Sequence, residues 1–269
     1  MPDHRRLLVT LQHGTAESDT IRQAGAVARL LGLDMLGIFV EDEAIHSLAS
    51  FPFARELRLP SHQWHPIDPA HVVTAFQAAA AAAQRRLTSI TQTLGVNCGF
   101  TVRRGDPAGV VTEILCAGDI IVLSEPRAPS EALTHSFLRA WQTASRSGAS
   151  LLLLPPGAAR QDGPVIALAQ ASQRALATAA HVARIAHEPL TLLGPETAFP
   201  ETPPPRPRFR PLTGFTDSAL RFALADMRER ILVLDRDGLT DEQEAVLLRV
   251  AASRGTPVLL VGPPADQAG

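Results

Sequence analysis

The sequence predicts an α/β fold with two open, mostly parallel, five-stranded sheets of the Rossmann-like kind, the second in a shortened domain. The main observation is an internal repeat, because residues 100–156 and residues 208–264 both run strand, helix, strand, helix, strand. In both copies a turn containing Ser, Arg and Gly leads into the last strand, and a Pro-Pro pair follows it. Strands that alternate with helices form parallel sheets, since each helix carries the chain back across a sheet face. The repeat therefore predicts two similar domains.

Residues 1–158 are predicted to form the first domain. Its strands are short apolar runs separated by stretches in which apolar residues recur at helical spacing, and its longest helix is rich in alanine. The segment 41–69 interrupts this alternation, so we expect it to be an insertion. The predicted strands are 7–11, 34–40, 97–103, 119–123 and 150–154.

Residues 163–269 are predicted to form the second domain. Seven prolines lie between positions 195 and 211, where the first domain has its alanine-rich helix. Such a density of proline favours an extended connection, because proline fixes φ and lacks the N–H that a helix needs. The second domain is therefore expected to be a shortened, degenerate copy of the first.

Composition excludes several function classes. The formal net charge of −2 provides no general attraction to nucleic acid or to an anionic membrane. No run approaches the ~20 apolar residues of a membrane span, and the N-terminal residues do not resemble a signal peptide, so a cytoplasmic location is expected. The chain has neither lysine nor tyrosine, which excludes a phosphate-binding P-loop lysine, a Schiff-base lysine and a tyrosine general acid.

Four motifs of the first domain occur in a recognisable order and spacing. They are Leu8 to Leu11 before a turn, Gly37 to Val40, Gly105-Asp106-Pro107, and Asp119 to Val122. With them the chain resembles the universal stress protein family in its tandem, two-domain form. The resemblance implies the strand order 3-2-1-4-5 in each sheet and a ligand crevice at the carboxyl ends of strands one and four.

The resemblance also implies that the ATP-binding motif of this family is degenerate here. Nucleotide-binding members have Gly-x-x-Gly after strand four, then nine residues and Gly-Ser or Gly-Thr. In this sequence Ser124 and Arg127 stand at the first two glycine positions, Phe137 and Leu138 at the last two, and Gln12 replaces the first-strand aspartate. Bulky side chains and an intervening glutamate and proline suit a phosphate cradle poorly. We therefore expect no nucleotide cofactor bound in the usual mode.

The corresponding loop of the second domain, Asp235 to Gly238, is also acidic where a phosphate would bind. No catalytic residues are predicted in either domain. We therefore expect a non-enzymatic, universal-stress-like protein with a stress-related sensing or partner-binding role.

A protein partner is expected to bind through the insertion 41–69. The insertion contains Phe51, Phe53 and Trp64, in a chain with only 4% aromatic residues. These side chains either line a binding surface or cover the apolar end of the sheet, and the sequence favours neither. A homodimer is also left open, because the fifth strands, ending at Leu154 and Val261, could pair within one chain or between two.

Two alternatives keep a ligand. The first is an adenine-nucleotide-binding regulator that holds ATP or AMP in an atypical crevice. The second is a metal-dependent hydrolase, for which His62-x-x-His65 has a spacing found in metal sites and His71 lies close by, although the sequence favours a solvated loop, or part of a lid over the crevice, for these histidines. The ligand-binding candidates are Gln12, His13, Val40, Gly105, Asp106, Ser124 and Arg127.

Overall fold

The computed structural model describes residues 4–11, 18–58, 62–116, 118–124, 148–155, 160–195, 207–236 and 238–263. Its strands are β1 (Arg6–Leu11), β2 (Asp34–Asp42), β3 (Arg55–Arg58), β4 (Gln63–Pro66), β5 (Cys98–Gly105), β6 (Ile120–Ser124), β7 (Ser150–Leu154), β8 (Val165–Leu168), β9 (Leu190–Gly194), β10 (Arg208–Pro211), β11 (Ile231–Asp235) and β12 (Val258–Val261). Its helices are α1 (Ser18–Leu31), α2 (Glu43–Ser50), α3 (Pro69–Leu94), α4 (Pro107–Ile114), α5 (Gln173–Ala186), α6 (Asp217–Leu224) and α7 (Asp241–Arg254).

The central sheet has ten strands in the described part of the chain. Their order is β10-β9-β8-β11-β12-β7-β6-β1-β2-β5, and every neighbouring pair is parallel except β12 and β7. Each half therefore has the predicted order 3-2-1-4-5. The sequence left open whether the fifth strands pair within the chain or between chains, and here β7 and β12 pair within the chain and join the two predicted sheets. This pairing removes two sheet edges that would otherwise be open.

The hydrophobic cores lie on the two faces of this sheet, and each core spans both halves. On one face α1, α3 and α5 contribute buried residues, and on the other α6 and α7 do so. Alternate residues of a strand point to opposite faces, so Ile231 and Val233 enter one core while Leu232 and Leu234 enter the other. Burial on both faces explains why these strands are uninterrupted apolar runs.

The described residues of the predicted insertion 41–69 contain regular secondary structure. They form α2 and then the hairpin β3–β4, a separate two-stranded sheet. Asp42 caps α2 by accepting from the amide of Ala44 at 2.8 Å, and Asp68 caps α3 by accepting from the amide of Ala70 at 3.0 Å. Such caps satisfy amides that have no partner within the helix, and they fix where both helices begin. No helix of the described residues is long and apolar enough to cross a membrane.

Each half buries a carboxylate immediately before its fourth strand. Asp119 precedes β6 and accepts from the guanidinium of Arg6 at 3.1 Å. Glu229 precedes β11 and accepts from Arg254 Nη2 and from Thr256 Oγ1, both at 2.7 Å. Both carboxylates are wholly buried. Because a buried charge is costly unless it is paired, Asp119 ties the start of β6 to the start of β1. Glu229 likewise ties the loop before β11 to the connection between α7 and β12 in the second half.

Acid is expected to destabilise the protein as Glu229 becomes protonated. Burial alone raises the pKa of Glu229, but the hydrogen bonds from Arg254 and Thr256 outweigh it, so its pKa lies below the ordinary 4.5. With the folded pKa below the unfolded one, the stabilisation is complete above about pH 4.5 and is lost as the pH falls through the folded pKa. As the pH is lowered below about 4.5, we expect the urea midpoint of the wild type to fall more steeply than that of the Glu229→Gln variant. Parallel curves would contradict the assignment.

Candidate functional site

The crevice of the first half lies at the carboxyl ends of β1, β2, β5 and β6. Four of the predicted ligand-binding residues are found on these strands or directly after them. Val40 pairs in register with Arg103, Gly105 ends β5 opposite Asp42, and Ser124 ends β6. Asp106 follows Gly105. The other three candidates, Gln12, His13 and Arg127, lie outside the described residues.

Three of these four residues serve the fold. Val40 is buried in a small core with Leu8 and Ile38. Gly105 has φ +152°, where a Cβ would lie 3.1 Å from Cγ2 of Val110, and Asp106 caps α4 by accepting from the amide of Gly109 at 3.0 Å. Glycine permits the turn, and the aspartate begins the next helix. The Gly-Asp-Pro motif is therefore explained as a strand-to-helix connection.

Ser124 is exposed at the carboxyl end of β6. Its hydroxyl lies 3.3 Å from that of Thr20 in the first turn of α1. Sequence reasoning missed Thr20, because 104 residues separate the pair. The two hydroxyls provide neutral hydrogen-bonding groups at the carboxyl end of β6.

The crevice of the second half contains a cavity of about 150 Å³ at the carboxyl ends of β8, β9 and β11. Leu168, Leu193 and Phe215 contribute apolar walls, while Asp235 and Gln243 contribute polar groups. The cavity lies where an open α/β sheet of this order binds its ligands. It is smaller than the roughly 300 Å³ at which ligand pockets usually begin.

Asp235 places a negative charge beside the helix that begins at this cavity. Its carboxylate accepts from the backbone amide of Ser172, and from the Ser172 hydroxyl at 2.7 Å. Ser172 is the N-cap of α5, and its hydroxyl oxygen accepts from the amide of Ala175 at 3.2 Å. A helix N-terminus favours an anion, and here the chain supplies its own. Asp235, from the loop that the sequence shows to be acidic, thus lies at the N-terminus of α5.

The N-terminus of α7, the other helix at this cavity, is also capped from within. Gln243 Oε1 accepts from the amide of Thr240 at 3.0 Å, and Thr240 Oγ1 accepts from the amide of Gln243 at 3.3 Å. This reciprocal capping box satisfies two amides that would otherwise be free for a ligand. In the described part of the second crevice, the N-termini of α5 and α7 are therefore capped by side chains of the chain itself.

The histidines of the insertion do not form a metal centre. Among the described residues, no group of three His, Cys, Asp or Glu side chains could hold a metal ion. His62 precedes β4, His65 lies within β4, and His71 lies in the first turn of α3. A fourth histidine, His46, is buried against Phe76 with ring centroids 4.8 Å apart. Among the described residues, the structure thus does not bring His62, His65 and His71 together as one metal-binding group.

The most unusual feature of the insertion is an exposed apolar surface. Phe53 is 79% exposed and Trp64 is 61% exposed, and the rings of Phe51 and Phe53 stack with centroids 5.9 Å apart. These aromatic side chains therefore do not cover the end of the sheet, one of the two interpretations that the sequence left open. Five further apolar residues are 41–53% exposed. Together with Phe53 and Trp64 they form the set that we call the insertion surface: Ile45, Leu48, Phe51, Phe53, Leu57, Trp64 and Val73.

The local folding of the insertion turns these side chains outward. In the hairpin, Leu57 pairs with Trp64 on the exposed face, whereas Glu56 pairs with His65 on the half-buried face. In α2 the buried positions are His46 and Ala49, which leaves Ile45 and Leu48 toward solvent. Alternation along the strands and helical spacing along α2 thus place apolar residues on the outer side of both elements.

Comparison with solved structures identifies the fold. A universal stress protein from Archaeoglobus fulgidus DSM 4304 aligns over 97% of both chains, at 13% sequence identity and a TM-score of 0.61. The chain has the universal stress protein fold. A proposed universal stress protein from Pseudomonas aeruginosa UCBPP-PA14 aligns over 98% of this chain and 95% of its own, at 12% identity and a TM-score of 0.60.

A functionally unknown protein from Pseudomonas aeruginosa PAO1 is similar to the same extent. It aligns over 98% of this chain and 94% of its own, at 12% identity and a TM-score of 0.61. No family model and no curated protein matches the sequence. At these identities the likeness establishes the fold, and the function has to be argued from the side chains.

Proposed function

We propose that this protein is a non-enzymatic, universal-stress-like protein that serves a stress-related sensing role by binding a protein partner. Binding takes place through the insertion surface, and ATP is not held in the usual mode. The observation that carries the proposal is the exposure of seven large apolar residues, six on the insertion 41–69 and Val73 on the adjoining helix α3.

The summed apolar area of these residues lies at the upper end of what a typical monomer leaves exposed. Phe51, Phe53 and Trp64 expose roughly 390 Å², taking about 200 Å² for a whole aromatic side chain. The four aliphatic residues add about 220 Å², at roughly 120 Å² each. The largest patch on a typical monomer is about 300–600 Å² and is often functional. Leaving about 600 Å² of apolar area in water is costly unless a partner covers it.

The crevices support a function without phosphate binding. In the second half, Asp235 and the capping box at Thr240 occupy the helix termini that would attract an anion. In the first half, the positions that the family reserves for glycine are held by Ser124 and Arg127. A triphosphate would meet a carboxylate in one crevice and a residue pattern without the usual glycines in the other.

Photo-crosslinking in the organism's own cells tests the proposal. A photoreactive p-benzoylphenylalanine in place of Phe53 is expected to yield an adduct of one discrete mass. The matched control replaces Phe222, which is 82% exposed on α6, outside the insertion. Illumination of the Phe222 variant is expected to give no discrete adduct. Absence of an adduct from position 53, or equal adducts from both positions, would overturn the proposal.

An adenine-nucleotide-binding regulator with an atypical crevice is the second candidate. One observation favours it: the hydroxyls of Ser124 and Thr20 lie together at the carboxyl end of β6, where this fold places ligands. The crevice that the sequence suggests for it is built from Gln12, Val40, Gly105 and Arg127, of which Gln12 and Arg127 lie outside the described residues. ATP or AMP would be the ligand, and binding would stabilise the folded state in proportion to ligand saturation.

A further inference from the structure

We infer that the second half contains a binding site for a small hydroxylated acid, a molecule that joins one carboxylate or phosphate group to several hydroxyls. The site is a groove of about 820 Å³ at the amino ends of β8, β9 and β10, at the opposite end of the sheet from the crevice. Ligand pockets commonly measure about 300–1,000 Å³, so the groove can hold a molecule of sugar size. Three observations carry the inference: the guanidinium groups that line the groove, a buried hydroxyl and two exposed carboxylates.

The groove lies on the side of the sheet that α6 and α7 cover. The pairing register puts Thr191 of β9 beside Arg208 of β10, and Leu193 beside Arg210. Leu193 belongs to the core under α6 and α7. Since alternate residues of a strand share a face, the side chains of Thr191, Arg208 and Arg210 lie on this side of the sheet. Residues 226–228, which connect α6 to β11, line the groove as well.

Three arginines give the groove donors that suit an oxyanion. Arg210 donates from Nη1 to the carbonyl oxygen of Ala223 in α6 at 3.1 Å, which fixes the position of its guanidinium. Arg208 and Arg228 are exposed, and their guanidinium groups form no ion pair or hydrogen bond within the described part of the chain. A planar guanidinium binds a carboxylate or a phosphate through two parallel hydrogen bonds. The groove therefore has two charged groups that a ligand can pair with.

The second observation is the hydroxyl of Thr191. Thr191 lines the groove and is only 2% exposed, and its hydroxyl has no hydrogen-bond partner among the residues that the structure describes. A polar group that is almost buried is costly unless it is hydrogen-bonded. A ligand in the groove would supply the partner that the chain itself does not.

Two exposed aspartates, Asp162 and Asp226, also line the groove and restrict the ligand further. Carboxylates repel a molecule with several acidic groups, but they accept hydrogen bonds from hydroxyls. Among the described residues the lining has three arginines and two aspartates, so its net charge is positive and disfavours a cation. Burial lowers the pKa of Arg230, and the nearby carboxylates of Glu188 and Asp162 oppose this shift. A single acidic group with neutral hydroxyls fits this combination of charges.

The groove is closely packed where residues 162–164 meet the loop before β11. The amide of Gly163 donates to Glu188 Oε1 at 3.0 Å, and a Cβ at Gly163 would lie 1.8 Å from the carbonyl oxygen of Arg228. The segments that carry Asp162 and Arg228 are therefore held against each other without a ligand. Such preorganisation lowers the entropic cost of binding.

Isothermal titration calorimetry on the full chain tests the inference with gluconate, glucose 6-phosphate, glucose and inorganic phosphate. The first two join a carboxylate or a phosphate to a six-carbon polyhydroxyl body, whereas glucose lacks the acid and inorganic phosphate lacks the body. We expect at least one of the two acids to bind with a dissociation constant of about 1 mM or lower, and glucose and inorganic phosphate to bind at least about tenfold more weakly. The acid that binds identifies a carboxylate or a phosphate as the recognised group.

Variants place the ligand in the groove. The double variant Arg208→Gln/Arg228→Gln is expected to weaken binding of the acid at least about tenfold. The matched control, Arg85→Gln/Arg249→Gln, loses the same charge from exposed arginines of α3 and α7 and is expected to bind like the wild type. Thr191→Val keeps the shape without the hydroxyl and is expected to weaken binding about threefold. Circular dichroism and thermal melting check that each variant is folded.

Several results would overturn the inference. One is the absence of binding by both acids up to roughly 10 mM, and another is inorganic phosphate that binds as tightly as the acids. Binding that Arg208→Gln/Arg228→Gln or Thr191→Val leaves unchanged, or equal losses in the two double variants, would show that the ligand is not held in this groove. The groove shares no residue with the insertion surface, so the proposed function is tested separately.

Discussion

Glu229→Ala is expected to lower the free energy of unfolding by about 3–5 kcal/mol, the usual cost of removing one partner of a buried ion pair. The Glu229 carboxylate is wholly buried and accepts from both Arg254 and Thr256. Arg254 also donates to the carbonyl oxygens of Leu224 and Met227, at 2.9 and 2.6 Å. Without the carboxylate, a half-buried guanidinium loses its counter-charge and the loop before β11 loses its anchor. Urea denaturation of wild type and variant measures the difference.

Asp217→Ala is the matched control for Glu229. Asp217 also pairs with an arginine, Arg221, four residues along α6, but both side chains are exposed. Water and salt screen such a pair, so its removal is expected to change stability far less than the removal of Glu229. Equal losses in the two variants would show that burial does not set the strength of these pairs.

Gly163→Ala is expected to destabilise the protein by about 3 kcal/mol or more, through a steric clash that no rotamer relieves. Gly163 precedes β8 with φ +118°, and a Cβ there would lie 1.8 Å from the carbonyl oxygen of Arg228. The atom it meets belongs to the backbone, so the loop before β11 would have to move. Thermal or urea unfolding of the variant measures the loss.

Gly214→Ala is the control for Gly163. A Cβ at Gly214 would have no heavy atom within 4 Å, and Gly214 is not among the residues with positive φ. Its replacement is expected to leave stability unchanged or to raise it slightly, because alanine restricts the unfolded chain. A large loss at Gly214, or none at Gly163, would contradict the description of the second half.

The sheet was predictable because its signals are local. Strands buried on both faces are continuous apolar runs, and Asp106-Pro107 marks a helix start through capping and the fixed φ of proline. Because the repeat gave the same pattern twice, the strand order that the family resemblance implies was expected in both halves. The sequence did not decide whether β7 and β12 join the two halves into one sheet. Their apolar sequences could pair equally well within one chain or between two chains.

The insertion and the site residues were less predictable. In the short α2 and in the four-residue strands of the hairpin, apolar side chains point outward. Arguments from hydrophobic periodicity assume that apolar residues are buried, so they did not predict these elements. The contacts of Ser124 with Thr20 and of Asp235 with Ser172 join residues far apart in the chain. The sequence did place Asp235 in an acidic loop at the crevice, but its capping of α5 requires the folded arrangement.

Thermal denaturation with nucleotide tests most directly the central claim that this fold works here without ATP in the usual mode. Melting is followed without ligand, with ATP and Mg²⁺, and with AMP and Mg²⁺, with sulfate at equal ionic strength as the control for general anion effects. Ligand at about 100 times its dissociation constant stabilises by about 2.7 kcal/mol, which corresponds to a shift of roughly 5 °C or more. We expect each nucleotide curve to coincide with the sulfate control. A shift of several degrees with ATP or AMP beyond that control would contradict the account and favour the nucleotide-binding regulator.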